Sequence, residues 1–324
     1  MSESEKLLSV RNLTVKYISR ETGTCHAVND ISFDVGKGET LGLVGETGAG
    51  KTTIALSIMR LLQMPPARVM SGEILLNGED ILKMPEANMR SVRGGRISMI
   101  FQDPMTALNP IDRIGDQIAE VVRLHLKLSK ADAMLKAADM LEMVGIQFDR
   151  FNEYPHQFSG GMKQRVVIAI ALACRPELLL ADEPTTALDV TIQAQILNMM
   201  KELKDELGTS MLLITHDLGV VAETCNRVAV VYAGEIVEIG PADAVFEKRS
   251  HPYTVGLFNS LPDITGARKR LIPISGLMPD PTALPRGCKF SPRCPDCDED
   301  CRREPIELRL ESGSHYVRCR KINN

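Results

Sequence analysis

The segment LGLVGETGAGKTT, residues 41–53, constrains this chain more than any other, because it sets a GxxxxGK[ST] pattern between an apolar run and a stretch of helical period. Gly45, Gly48 and Gly50 let the backbone curl with its N–H groups pointing inward, a nest for phosphate oxygens, and the helix that follows adds the positive end of its dipole. Lys51 can reach the β and γ phosphates, and the Thr52 hydroxyl can ligate the magnesium ion that bridges them. A glycine turn carrying a surface lysine is the bland alternative. Against it, LGLV reads as a buried strand and TTIALSIMRLL as a helix. An α/β frame holding a nucleoside triphosphate is expected.

The rest of the 324-residue chain supports a soluble, multi-domain reading, with 44% hydrophobic residues, enough for a sizeable core. Its net charge of −4 removes the basic surplus that would favour a nucleic-acid partner. The longest apolar run, VVIAIALAC at 166–174, is too short to span a bilayer, and MSESEKLLSV has no charged-then-apolar export pattern. A cytosolic chain is therefore expected, with any membrane role arising by docking on other subunits.

Apolar runs at 7–17, 27–35, 39–44, 72–81, 96–102, 177–183, 210–216 and 227–240 predict strands, and helical periodicity is strongest at 113–126, 130–144, 160–174 and 191–207. This alternation predicts a mostly parallel sheet wrapped by helices, with an inserted helical block over about 103–165. A proline-rich stretch from Pro262 to Pro285 reads as a linker, followed by a small cysteine domain.

FSGGMKQR at 158–165 stands shortly before LLLADEP at 178–184, and with Gln102, TALD at 186–189 and ITHD at 214–217 it resembles the ATP-binding subunit of ABC transporters from residue 7 to about 250. The resemblance implies a P-loop NTPase with a RecA-like core, an antiparallel β subdomain and a helical subdomain, using ATP and Mg2+. It implies that Tyr17 stacks on adenine, Thr53 helps hold the α-phosphate and Gln102 ligates magnesium while sensing a membrane partner. Asp182 would orient the magnesium shell, Glu183 polarise the attacking water, His216 contact the γ-phosphate and Asp189 link two active sites. Phosphoryl transfer asks for such charge neutralisation and an aligned water more than for covalent chemistry. Core packing is the alternative reading for Tyr17.

Ser159, Gly160 and Gly161 begin a helix, so their hydroxyl and N–H groups form an anion site that a phosphate of the same chain does not reach. They are expected to complete the ATP site of a second ABC ATPase subunit.

YPH before the QFSGGMKQR run, HPYT at 251–254, and Pro285, Gly287, Cys288, Phe290, Pro292, Arg293 and Cys294 are similar to the dipeptide and oligopeptide import family. That narrower resemblance covers nearly the whole chain: an ATPase domain over 1–261, a linker over 262–285 and a cysteine-rich module over 286–324. It implies a second, related ATPase subunit more than an identical copy, two transmembrane permease subunits whose short helix meets Asp103–Ile114, an extracytoplasmic peptide-binding protein, and a peripheral position on the cytoplasmic face of the membrane. Nickel or another cargo is an alternative, as is a soluble ABC ATPase uncoupled from transport, although one cassette without a heptad run argues against the latter.

Five of the eight cysteines crowd the C-terminal end. In a reducing compartment that argues for metal ligation over disulfides. Cys288, Cys294, Cys301 and Cys319 follow C-x5-C-x6-C-x17-C, unlike the paired C-x2-C knuckles of structural zinc. In the import family the cluster is similar to a [4Fe–4S]-binding module, which requires four thiolates. Cys297 makes a C-x2-C with Cys294, so zinc or another ligand set stays open. A segment this short builds little apolar core, so a metal would serve folding more than electron transfer. Cys174 ends an apolar helix and reads as a small buried hydrophobe, and Cys25 and Cys225 have no partner in sequence reach.

Overall fold

The computed structural model describes residues 6–21, 23–186, 188–260 and 273–322, with no account of the side chains of 104–105. Of the proline-rich linker, 262–272 lie outside the described residues. The strands are β1 (Lys6–Ser19), β2 (Gly23–Gly36), β3 (Thr40–Val44), β4 (Ala67–Leu76), β5 (Glu79–Asp80), β6 (Ile97–Ile100), β7 (Leu178–Asp182), β8 (Ser210–Thr215), β9 (Arg227–Tyr232), β10 (Glu235–Pro241), β11 (Arg309–Ser312) and β12 (His315–Val317). The helices are α1 (Lys51–Ile58), α2 (Glu86–Val92), α3 (Pro104–Ala107), α4 (Ile114–Leu126), α5 (Lys130–Met143), α6 (Gly160–Leu172), α7 (Val190–Leu207), α8 (Leu218–Thr224), α9 (Ala242–Glu247), α10 (Pro252–Asn259) and α11 (Glu299–Arg303). They form two compact units, one of residues 1–8, 35–40 and 76–214, the other of 9–34, 41–75 and 215–324.

In the first unit β6, β7 and β8 are parallel neighbours, with Ile97 opposite Leu178 and Leu178 opposite Ser210. Every residue of β7 and of β8 is buried, as apolar runs in a two-sided parallel sheet must be. Helix α6, apolar over most of its circumference, packs on β6, α3, α4 and α7, whereas amphipathic α4 and α5 pack on each other within the expected helical block. Ser129 caps α5 by accepting the Asp132 N–H, so the boundary between α4 and α5 falls where the sequence placed it.

In the second unit β3 runs parallel to β9, from Leu41 opposite Arg227 to Val44 opposite Val230. β9 turns into antiparallel β10 through Ala233 and Gly234, both at positive φ, which suits a two-residue hairpin. β1 lies between β2 and β4 in a separate sheet. The C-terminal segment was expected to form a domain of its own, yet its hairpin of β11 and β12 extends the sheet, β12 pairing antiparallel with β10. Buried polar groups fasten that hairpin. The Glu238 carboxylate accepts the backbone N–H groups of Ser250 and His251, each at 2.9 Å, and meets His315 Nε2 at 2.8 Å.

Candidate functional site

The phosphate loop leaves β3 and delivers its last glycine, Gly50, as the N-cap of α1. Gly45 and Gly50 have φ of 154° and 105°, and a Cβ would run into the Val231 carbonyl oxygen at the first and that of Ala27 at the second. Only glycine serves there, and the cause is the close approach of neighbouring strands. Lys51 is 6% exposed, and its Nζ donates to the carbonyls of Gly45 at 2.8 Å and Glu46 at 3.0 Å, so the loop wraps its own ammonium group. No acidic residue occupies the first turn of α1, which leaves the helix dipole to favour an anion. Thr52 is exposed, Thr53 is half-buried, and the Tyr17 hydroxyl lies 3.4 Å from Thr53 Oγ1. Tyr17 thus stands beside the loop's helix with its ring partly open to solvent.

In the first unit Asp182 ends β7, 3% exposed, and Glu183 follows at φ 47°, outside the comfortable range for a residue with a side chain. Its N–H donates to the Ile214 carbonyl at 2.8 Å, which holds it in that conformation. The Glu183 carboxylate accepts Gln102 Nε2 at 2.9 Å and Thr186 Oγ1 at 3.0 Å. The fold therefore brings together two predicted residues 81 positions apart, the carboxylate expected to polarise the attacking water and the amide two residues beyond β6. His216, exposed, comes just after β8, and the neighbouring Asp217 caps α8 by accepting the N–H groups of Gly219 and Val220.

Ser159 caps the 13-residue α6, its hydroxyl accepting the Met162 N–H, and Ser159 and Gly160 are both exposed. The helix tip faces solvent. Asp189 is also exposed, at the start of α7, where its side chain makes no capping hydrogen bond. Sequence reasoning gave no role to Gln164, which is wholly buried and donates to the Pro184 carbonyl at 2.5 Å. It ties α6 to the loop after Glu183, and its place inside FSGGMKQR was the only signal for it.

At the other end of the second unit, Cys288, Cys294, Cys301 and Cys319 line one cavity of about 160 Å³ with Phe290 and Ile306. Cys297 is not among its walls, and its Sγ lies 3.4 Å from the Asp298 carbonyl. The Cys288 N–H donates to the Cys301 carbonyl at 2.8 Å, and Asp298 caps α11 through the Cys301 N–H at 2.9 Å, so the loops are braced from outside the cavity. None of these cysteines is in a disulfide. Burial, with the other three thiols nearby, pushes Cys288 up to about 12. Burial also raises Cys294, Cys301 and Cys319. Among the described residues, no group of three or more His, Cys, Asp or Glu side chains stands in an arrangement that would hold a metal ion.

His251 borders the same cavity, fully buried, and burial pushes it down to about 3. Its Nδ1 accepts the Tyr253 N–H at 3.0 Å, which requires the neutral ring. Because the folded value lies below the unfolded one, the unfolded chain binds the extra proton, and stability falls as pH drops through about 6.5 toward 3. The expected slope is about 1.4 kcal/mol per pH unit from this one proton. Thermal melts at pH 7 and 5 check it: His251→Asn should shallow the acid side of the profile, and an unchanged profile would contradict the assignment.

The phosphate loop, the Asp-Glu strand end and the exposed Ser-Gly-Gly helix tip, carried on this α/β frame, define an ATP-binding cassette, and the chain belongs to the ABC transporter ATP-binding family and hydrolyses ATP. The family model described as ABC transporter matches residues 28–186, and that described as oligopeptide/dipeptide transporter, C-terminal region, matches 237–301. The dipeptide transport ATP-binding protein DppD of Bacillus subtilis is 50% identical, with 97% of this chain and 94% of the relative covered. A probable peptide ABC transporter ATP-binding protein of Sinorhizobium fredii is 49% identical over 99% of this chain and 96% of its own. Among solved structures, the dimeric post-hydrolysis state of the cassette MJ0796 bound to ADP and Pi is similar at TM-score 0.65 and 25% identity, covering 72% of this chain and 98% of that one. Another is cbiO1 of Clostridium perfringens, part of the cbiONQ complex, at TM-score 0.64 and 27% identity over 76% and 92%.

Proposed function

We propose that the chain energises import of di- and oligopeptides as a peripheral subunit on the cytoplasmic face of the membrane. The observation that carries this reading is the near full-length identity to proteins named for peptide transport, together with the match of residues 237–301 to the C-terminal region of such transporters. Among the described residues no helix is long and apolar enough to cross a membrane, and two permease subunits are proposed to form the transport path. The exposed segment around Ile111, 79% exposed, suits the groove that would receive their short helix. An extracytoplasmic binding protein would select the peptide. A strain lacking this chain should lose growth on a dipeptide as sole source of a required amino acid and regain it on complementation; loss of nickel uptake with intact peptide uptake would favour the other cargo.

Within the cassette, Gly45, Gly48, Gly50, Lys51 and Thr53 hold the phosphates and Tyr17 takes the adenine. Thr52 and Gln102 would ligate Mg2+ with Asp182 orienting its waters, and the ion would neutralise charge between the phosphates. Glu183 accepts the proton of the attacking water and His216 meets the γ-phosphate. Ser159, Gly160 and Gly161 present a helix N-terminus to the nucleotide of a second cassette, and Asp189 joins the two sites. That second cassette is proposed to be a related chain. The exposure of the α6 tip supports the arrangement, since a buried N-terminus would have nothing to offer a partner.

Cys288, Cys294, Cys301 and Cys319 are proposed to hold a [4Fe–4S] cluster, supported by the convergence of these four on one apolar-walled cavity that Cys297 does not line. When bound, the cluster would supply binding free energy that fastens the loops. Anaerobically purified protein is expected to contain about four iron and four sulfide per chain, retained in Cys297→Ser and lost in Cys301→Ser. Iron-free protein with one zinc would overturn the assignment.

A further inference from the structure

Glu46, the first variable residue of the phosphate loop, is gripped by residues that no nucleotide motif contains. The Arg293 guanidinium meets its carboxylate as a fork, Nη1 donating to Oε2 at 3.0 Å and Nη2 to Oε1 at 3.2 Å. The Arg293 side chain is only 5% exposed and also donates to the Ser275 carbonyl at 3.1 Å and the Tyr232 hydroxyl at 3.3 Å. The Glu46 N–H donates to the hydroxyl of buried Tyr253 at 3.0 Å. The Glu46 carbonyl in turn accepts Lys51 Nζ. A single residue of the loop is thereby fixed at its amide, its carboxylate and its carbonyl.

Arg293 immediately precedes Cys294. Both N–H groups donate to the Phe290 carbonyl, at 2.9 and 3.0 Å, so Phe290, Arg293 and Cys294 belong to one tight turn. The Phe290 ring stands edge-on to Tyr232 at 5.2 Å and 5.5 Å from Tyr253, whose own rings are 4.5 Å apart. The turn that presents a cysteine to the cavity is thus packed without a loose joint onto the groups that hold Glu46. Bidentate charge-assisted pairs of this kind are the strong ones, and a buried partner left alone is costly.

We infer that Arg293 is a positioning residue for the phosphate loop, acting through Glu46, and that the cysteine loop thereby regulates nucleotide affinity. Displacing the turn releases the Glu46 carboxylate, and the loop that wraps Lys51 loses its anchor. Arg293 touches no reacting atom, so the effect falls on binding and not on the chemical step. The regulatory half rests on the metal reading of the cysteines, whereas the anchoring half does not.

The test is equilibrium binding of a fluorescent Mg-ATP analogue to the full chain. Arg293→Ala and Glu46→Ala are each expected to raise Kd about tenfold, about 1.4 kcal/mol, with kcat at saturating ATP within about twofold. The double variant should bind no more weakly than either single, because both remove one interaction, and Arg293→Lys should recover part of the loss. Additive losses, or wild-type Kd in a natively melting Arg293→Ala protein, would overturn the inference. Should Arg293→Ala not fold, Glu46→Gln leaves the cysteine turn intact, and unchanged affinity there overturns it equally. Stripping the metal with a chelator is expected to bring the wild type down to the affinity of Arg293→Ala and to leave that variant unmoved. A stripped wild type that keeps its affinity overturns the regulation, while a chain purified without metal sinks the metal reading and leaves the mutant cycle to decide the anchor.

Discussion

Glu183→Gln is expected to bind ATP with unchanged affinity and to hydrolyse it about 10²- to 10⁴-fold more slowly, the range a positioned general base contributes. The substitution keeps shape and volume. Gln102 Nε2 and Thr186 Oγ1 donate to the same carboxylate oxygen, Oε2, so an amide in its place can still accept both through its own oxygen. What disappears is basicity toward water. Nor should the backbone move, since the strained φ of 47° is fixed by the N–H bond to the Ile214 carbonyl and not by the side chain. A cassette that binds but cannot turn over should collect as an ATP-bound dimer with its partner, visible as a shift in size-exclusion elution upon adding Mg-ATP and reversed by nucleotide removal. Phosphate release at the wild-type rate would take Glu183 out of its role, and slow turnover without dimer accumulation would separate the chemistry from the proposed head-to-tail closure.

The residues that sequence made legible are those whose demands are local. A glycine loop between buried β3 and α1, carboxylates at the end of a buried β7 and a serine opening α6 each follow from a handful of consecutive residues, and the structure places every one where the pattern put it. The pairing of Gln102 with Glu183 was not legible, because nothing in either segment specifies its partner. The Arg293–Glu46 fork joins positions 247 apart and could not be read from either end. Short elements were missed for a different reason. Helices α9 and α11 span 6 and 5 residues, too few for a period to show, and β11 and β12 span 4 and 3. The hairpin of β11 and β12 is held by the edge of β10 and by the buried Glu238–His315 contact, neither of which is a property of the segment itself. For the same reason the cysteine segment, short of apolar residues, suggested a domain apart, while its hairpin is built onto the cassette's sheet. Cys297 shows the limit of spacing arguments: its C-x2-C register with Cys294 is suggestive, yet the turn at Cys294–Cys297 leaves it off the cavity wall.

Lys51→Ala and Gly50→Ala are expected to abolish nucleotide binding to a similar degree by unrelated routes, which separates charge from geometry in the phosphate loop. Removing the ammonium deletes two or more charge-assisted hydrogen bonds to phosphate, each worth about 1.5–3 kcal/mol, so Kd for Mg-ATP should rise by about 10² or more. It also removes the lysine donor from the Gly45 carbonyl and from the Glu46 carbonyl, the latter keeping the Ala49 N–H, so a lower melting temperature should accompany the loss. Gly50→Ala leaves the lysine in place. At φ 105°, however, its new Cβ meets the Ala27 carbonyl oxygen on β2, backbone that cannot swing aside, and the loop must open to admit it. The N–H groups that would line the nest then diverge, and the ammonium has no cradle to work from. Isothermal titration with Mg-ATP on both variants checks the pair. Near-wild-type affinity in Gly50→Ala would mean that the charge of Lys51 suffices and that the curl of the loop is incidental, whereas the close approach of β2 to Gly50 argues that the curl is what lets a single lysine address the phosphates at all.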